Sequence, residues 1–168
     1  MCQFRWTSLP PFLRTCLLAL ACLFAAPAAQ ALQPLAIEPG FSETTLGRQA
    51  DFFLDDSHQL TLDAAMAADA PWQPLQMDTA SFGFDSRPLW LKLELASQST
   101  TPRHLLLIVD YPVLDLVDMY VVHTGQSPQH TTVGDTLPFD QRPREHRLFL
   151  LPLTLEPQAG MTLYLRIQ

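Results

Sequence analysis

Between positions 89 and 95 every second residue is a leucine, with Trp90, Lys92 and Glu94 in the gaps. An apolar residue at every other place puts one face of a strand in a core and leaves the other polar or wet. The same two-residue period returns at Leu114–His123, where Val117, Met119 and Val121 alternate with Asp118, Tyr120 and Val122. Fifteen prolines against six glycines close off the helical alternative, because an interior proline costs a helix about 3 kcal/mol. An apolar fraction of 48% is too high for a disordered chain. The chain is therefore expected to be a small, proline-punctuated, strand-rich globule.

Further strands are expected at Leu35–Glu38, Gln49–Leu54, His104–Asp110, Thr131–Val133, Arg147–Leu155 and Met161–Gln168. Proline, glycine, aspartate and serine turns separate them, as in an antiparallel sandwich or jelly roll. His104–Asp110 holds five consecutive aliphatic residues and reads as a strand buried on both faces. One short helix is expected at Thr61–Ala68, with Thr61 as its cap. The strand pattern is still running at Arg166-Ile167-Gln168, which reads as a domain truncated at its C-terminal end.

Residues 1–31 read as an address rather than structure. Arg5 and Arg14 precede the apolar run 17–26, Pro27 breaks it, and Ala29-Gln30-Ala31 supplies the small residues of a cleavage site. The run is shorter than the roughly 20 residues a membrane span needs. A lipoprotein variant cleaved before Cys22 is the lesser alternative, since Ala19 stands where a large aliphatic residue is wanted. Cys2, Cys16 and Cys22 all fall in this leader, so the exported segment 32–168 is expected to use neither disulfides nor thiolate metal sites. The whole chain carries a net charge of −7, which argues against a nucleic-acid partner. Mean hydropathy is only +0.08, too low for a polytopic membrane protein.

No catalytic signature is present: the sequence has no phosphate-binding glycine loop, no H-E-x-x-H, no G-x-S-x-G and no cysteine after position 22. The five histidines are scattered, and only His123 and His130, flanking a hairpin loop, stand within reach of each other. Binding chemistry has more candidates. Trp90 and Tyr120 lie on strand faces opposite their aliphatic neighbours and suit stacking on a sugar ring, with Lys92 beside Trp90 for the hydroxyls. The alternative for both rings is packing in a second layer over the sheet. Arg142 and Arg144 are candidates for a carboxylate or sulfate, with salt bridging as the alternative. Asp110, Asp115 and Asp118 crowd around one turn and the next strand and are candidates for Ca²⁺, although their spacing is not that of an EF-hand. Turn capping and pairing with arginine is the competing role. No other cofactor is suggested.

Several segments together carry a resemblance: Pro88-Leu89-Trp90-Leu91-Lys92-Leu93, then 111–120 (YPVLDLVDMY), Gly134-Asp135-Thr136-Leu137-Pro138-Phe139 with Gln141-Arg142-Pro143, Arg147–Leu155 and Leu163-Tyr164-Leu165-Arg166. Phe53-Leu54-Asp55-Asp56 and the short helix after it fit as an opening. In order and spacing these pieces resemble the type 2 extracellular sensor domain of bacterial seven-transmembrane receptors with diverse intracellular signalling modules. Lys92 stands where that family usually has Arg. The resemblance implies a periplasmic jelly roll, similar in fold to carbohydrate-binding modules, that precedes seven helices in the inner membrane and a diguanylate cyclase or histidine kinase output. It implies a small-molecule or glycan ligand and coupling to the downstream membrane region, with no catalysis by this segment. Two other readings stay open: a secreted stand-alone carbohydrate-binding module, and a periplasmic protein-interaction domain that homodimerises without a small ligand.

Overall fold

The computed structural model describes residues 33–168. The expected leader, with Arg5, Arg14 and the three cysteines, lies outside the described residues. Nine strands, one short α-helix and two 3-10 helices (Gly47–Gln49 and Phe139–Gln141) are formed among the described residues: β1 (Leu35–Ile37), β2 (Ala50–Leu54), α1 (Leu62–Met66), β3 (Gln73–Pro74), β4 (Leu89–Ser97), β5 (Arg103–Val109), β6 (Val117–Val122), β7 (Gln129–Val133), β8 (Phe149–Leu155) and β9 (Gly160–Ile167). Seven of the strands form one sheet in the order β3-β2-β4-β9-β6-β7, with β1 also on β4; β5 and β8 form a second sheet of two strands. The fold is an all-β sandwich whose sheets are antiparallel but for one pair of strands.

The alternation at 89–95 sets the core. Leu93 and Leu95 of β4, Met119 and Val121 of β6, and Leu163 and Leu165 of β9 point inward from the large sheet. Leu107, Phe149, Leu151, Leu153 and Leu155 meet them from the small one. Period-2 burial continues along β8, whose odd positions from 149 to 155 are buried while Pro152 and Thr154 are exposed. Among the described residues no helix is long and apolar enough to cross a membrane.

Three expectations are corrected. First, β5 is not buried on both faces: Leu106 and Ile108 are 46% and 53% exposed. A run of aliphatics satisfies an inward strand face with every second residue, and nothing in the run itself says that a layer covers the others. Second, not every pairing is antiparallel, because β1 lies parallel to β4 with Leu35 beside Leu95. β1 takes over the edge of β4 that β2 leaves after pairing with residues 89–93. Third, the Pro71–Leu75 stretch, where no element is expected, supplies β3, which pairs with β2 at the rim of the large sheet, where a proline is tolerated.

Candidate functional site

The register of the large sheet aligns its outward side chains in rows. One row runs Asp51, Lys92, Tyr164, Tyr120, His130 across β2, β4, β9, β6 and β7. The next runs Phe53, Trp90, Arg166, Asp118, Thr132 across the same strands. Glu94, Thr162 and Val122 start a third.

Half of this face is roofed by the segment between β2 and β3. Asp55 is buried and accepts hydrogen bonds from Ser57 N (2.9 Å), Ser57 Oγ (2.5 Å) and Leu60 N (2.9 Å), which closes the turn. Burial works against the Asp55 charge, but the Ser57 hydroxyl, the two amides and Arg166 outweigh it and hold its pKa below the usual carboxylate value. Thr61 then caps α1 by accepting from Ala64 N at 3.4 Å, as the sequence predicts. Trp72 donates from Nε1 to Ala65 O at 2.9 Å and sets its ring edge-on to Phe53 at 4.6 Å. Arg166 ties sheet to roof by donating to His58 O at 3.1 Å. Beneath the roof, Phe53, Ala65, Trp90 and Tyr164 form a second apolar cluster.

Trp90, a candidate for ligand stacking, is 0% exposed and lies inside that cluster. Its ring is nearly parallel to Phe53 on one side and to Tyr120 on the other, each at 6.2 Å. Tyr120 in turn stacks on His130 at 4.3 Å with 10° between the planes. A ladder of four rings thus crosses the face, buried at Trp90 and open at His130. Trp90 supports Tyr120 rather than facing a ligand. Burial raises the Tyr120 pKa, helped by Asp118 and opposed by Arg166, so the ring stays a neutral phenol at physiological pH.

Around the open end the groups are polar. Asp118 Oδ1 accepts from Thr132 Oγ1 at 2.8 Å and lies 2.8 Å from His130 Nε2, while Arg166 Nη1 stands 3.9 Å from Oδ2. Lys92 pairs with Glu94 at 2.7 Å. Burial disfavours the Lys92 ammonium, but Glu94, with Tyr164 and Asp51, overrides it and raises the pKa. Beside Glu94, Val122, Thr124 and Thr162 the face drops into an open cleft of about 300 Å³.

Lys92 and Tyr120 therefore share one row, with Trp90 beneath the roof in the next. Arg142 and Arg144 are not brought to them. They lie between β7 and β8, and the Arg142 guanidinium folds over the rings of Phe139 and Phe149 at 4.9 and 4.8 Å and donates to His146 O. Phe149 belongs to the core between the sheets, so this arginine packs on the opposite side of the large sheet from Tyr120. The three aspartates do not converge either. Asp110 is exposed at the end of β5, Asp115 sits in the following loop with its carbonyl accepting from Thr136 Oγ1, and Asp118 is held by Thr132 and His130. Among the described residues no three His, Cys, Asp or Glu side chains stand close enough to hold a metal ion.

His130 is the member of the site that the sequence marks only as flanking a hairpin loop with His123. A signal for its real place was available. A hairpin centred on Gly125, whose φ of +76° is easy for glycine, puts Tyr120 directly across from His130. Thr124 and Thr162 carried no such signal.

A family model described as 7TMR-DISM extracellular 2 matches residues 47–168. No curated protein is matched.

Proposed function

Because the chain belongs to the 7TMR-DISM extracellular 2 family, an extracellular sensor-domain family with no catalytic assignment, we propose that its ligand is a small carbohydrate held on the outer face of the large sheet. The reading rests on one observation: the ring ladder leaves its roof at Tyr120 and His130, and the next row of the sheet, Glu94, Thr162 and Val122, borders an open cleft lined also by Leu95, Ala96 and Met161. A sugar has an apolar ring face and a polar rim. Tyr120 and Val122 suit the first, and Glu94, Lys92, Thr124 and Thr162 suit the second. The ladder, with His130 fixed by Asp118, holds Tyr120 in place, and the Lys92–Glu94 pair holds those two side chains, before a ligand arrives, which lowers the cost of binding.

Residues 1–31 act as the export signal and 32–168 as the sensor. Differential affinity of the ligand for two arrangements of the domain would bias a membrane region and, through it, a diguanylate cyclase or histidine kinase output. That output rests on family analogy alone. The test is calorimetric titration with a panel of mono- and disaccharides. At least one sugar binds, Tyr120→Ala weakens it about tenfold or more, and Arg144→Ala leaves it unchanged. Silence across the whole panel, or equal loss in both variants, overturns the assignment.

A further inference from the structure

Leu32, Gln33 and Pro34 separate the proposed cleavage point from β1. β1 lies parallel to β4, with Leu35 beside Leu95, along the edge that β2 leaves after pairing with residues 89–93. Followed backward from Leu35, the chain therefore runs toward the place where β2 and β4 part. Pro34 borders the open cleft together with Glu94. Gln33 walls a separate notch with Gln49, with Asp51 of β2, and with Lys92 and Glu94 of β4.

The notch holds about 10 Å³, room for one water-sized polar group and too little for a sugar. Its charges do not balance. The carboxylates of Asp51 and Glu94 share the single ammonium of Lys92, which pairs with Glu94 at 2.7 Å. Burial raises the Asp51 pKa, and Lys92 opposes the rise without overcoming burial and Glu94 together. Tyr164, beside Lys92 on β9, has its own pKa raised by burial and adds no charge at neutral pH. A notch of this size and charge suits a cation no larger than an ammonium group.

We propose that the cation is the chain's own α-ammonium, freed at Leu32 by cleavage after Ala31 and held in the notch by Asp51 and Glu94. Signal-peptidase hydrolysis of the Ala31–Leu32 bond consumes one water, leaves a carboxylate on Ala31 and gives Leu32 an amine that takes up a proton. At most about 3.6 Å of backbone separates that nitrogen from the nitrogen of Gln33, which already walls the notch. In the uncleaved chain the same nitrogen is a neutral amide and offers no charge. Glu94 lines both the notch and the cleft, so processing fixes a side chain at the edge of the proposed ligand face. This pairing rests on the reading of residues 1–31 as an export signal.

The chain is recovered from the periplasm of an expressing bacterium, and its first residue is read by mass spectrometry. Lys92 is the only lysine of the sequence, so a chain beginning at Leu32 has just two amines to tell apart. The pH dependence of α-amine acetylation by trace acetic anhydride gives its pKa. The expected value lies about one unit above the ordinary 7.7–8.0, because the excess carboxylate favours the charged form. Asp51→Asn combined with Glu94→Gln returns it to the ordinary value, and Asp140→Asn, between β7 and β8, leaves it raised. No ligand enters this measurement, so its outcome is independent of whether a sugar binds. A chain that begins at Leu32 with an ordinary α-amine, or a raised value that survives the double variant, overturns the pairing alone. A chain that begins elsewhere overturns the export reading and the pairing with it.

Discussion

The two sheets bury their inner faces against the same core, yet their outer faces have opposite fates. The large sheet turns Phe53, Trp90 and Tyr164 outward and roofs them with the turn at Asp55, helix α1 and Trp72. The small sheet turns Leu106 and Ile108 outward and has no roof among the described residues. An outward hydrophobic residue on the first face is thus core, and on the second it is surface. The lesson is that the layer over a strand, rather than the strand's own hydrophobicity, decides what a side chain contributes.

Substitutions can break that comparison or sharpen it. Trp90→Ala is expected to cost about 3–5 kcal/mol in urea unfolding, because it empties a fully enclosed site between Phe53 and Tyr120. A cost near that of an exposed residue would mean that the roof does not seal the face. Asp55→Ala follows, at about 2 kcal/mol, since it strands the amides of Ser57 and Leu60. The pH dependence has a definite sign. With its pKa depressed in the fold, the Asp55 carboxylate stabilises fully above the unfolded carboxyl value of about 3.9 and loses that contribution as pH falls through its lower folded value. The gap between wild type and Asp55→Ala therefore narrows as pH falls below about 3.9, and a gap that does not change with pH would assign the effect to packing and to the hydrogen bonds a neutral carboxyl keeps.

Thr61→Ala tests the roof at its weakest point and is expected to cost about 0.5–1 kcal/mol, given a cap bond of 3.4 Å. Smallest of all is Ile108→Ala, within about 0.5 kcal/mol in the same unfolding measurement. A cost approaching that of a core residue would mean that this face is covered as the other one is.

Much of the architecture was legible from short-range pattern. Alternation at 89–95 and 117–122 located β4 and β6 and assigned their inward faces. Thr61 announced α1 by the chemistry of its hydroxyl. Trp90 was placed correctly on the face opposite the leucines, and second-layer packing was the alternative weighed against ligand contact. What stayed hidden was the roof, because burial of Trp90 depends on Ala65 and Trp72, about 20 residues away in sequence. The site was legible in part. Lys92 and Tyr120 were named, but their common row runs through Tyr164 of β9, and no local pattern reports which strand lies between β4 and β6. Arg142 was misplaced for a related reason: its charge suggested an anion, whereas the nearness of Phe139 and Phe149 gives the guanidinium two ring faces instead.

From the sequence alone came most of the strand periods and turns, the cap and the inward faces of β4 and β6, since all of these follow from steric and hydrogen-bonding preferences over two to four residues. Only the tertiary structure decided which outward faces are covered and which are bare, and which polar groups meet at the edge of the cleft. Those outcomes depend on strand order and register, which are set by the joint packing of distant segments and leave no trace in any one of them.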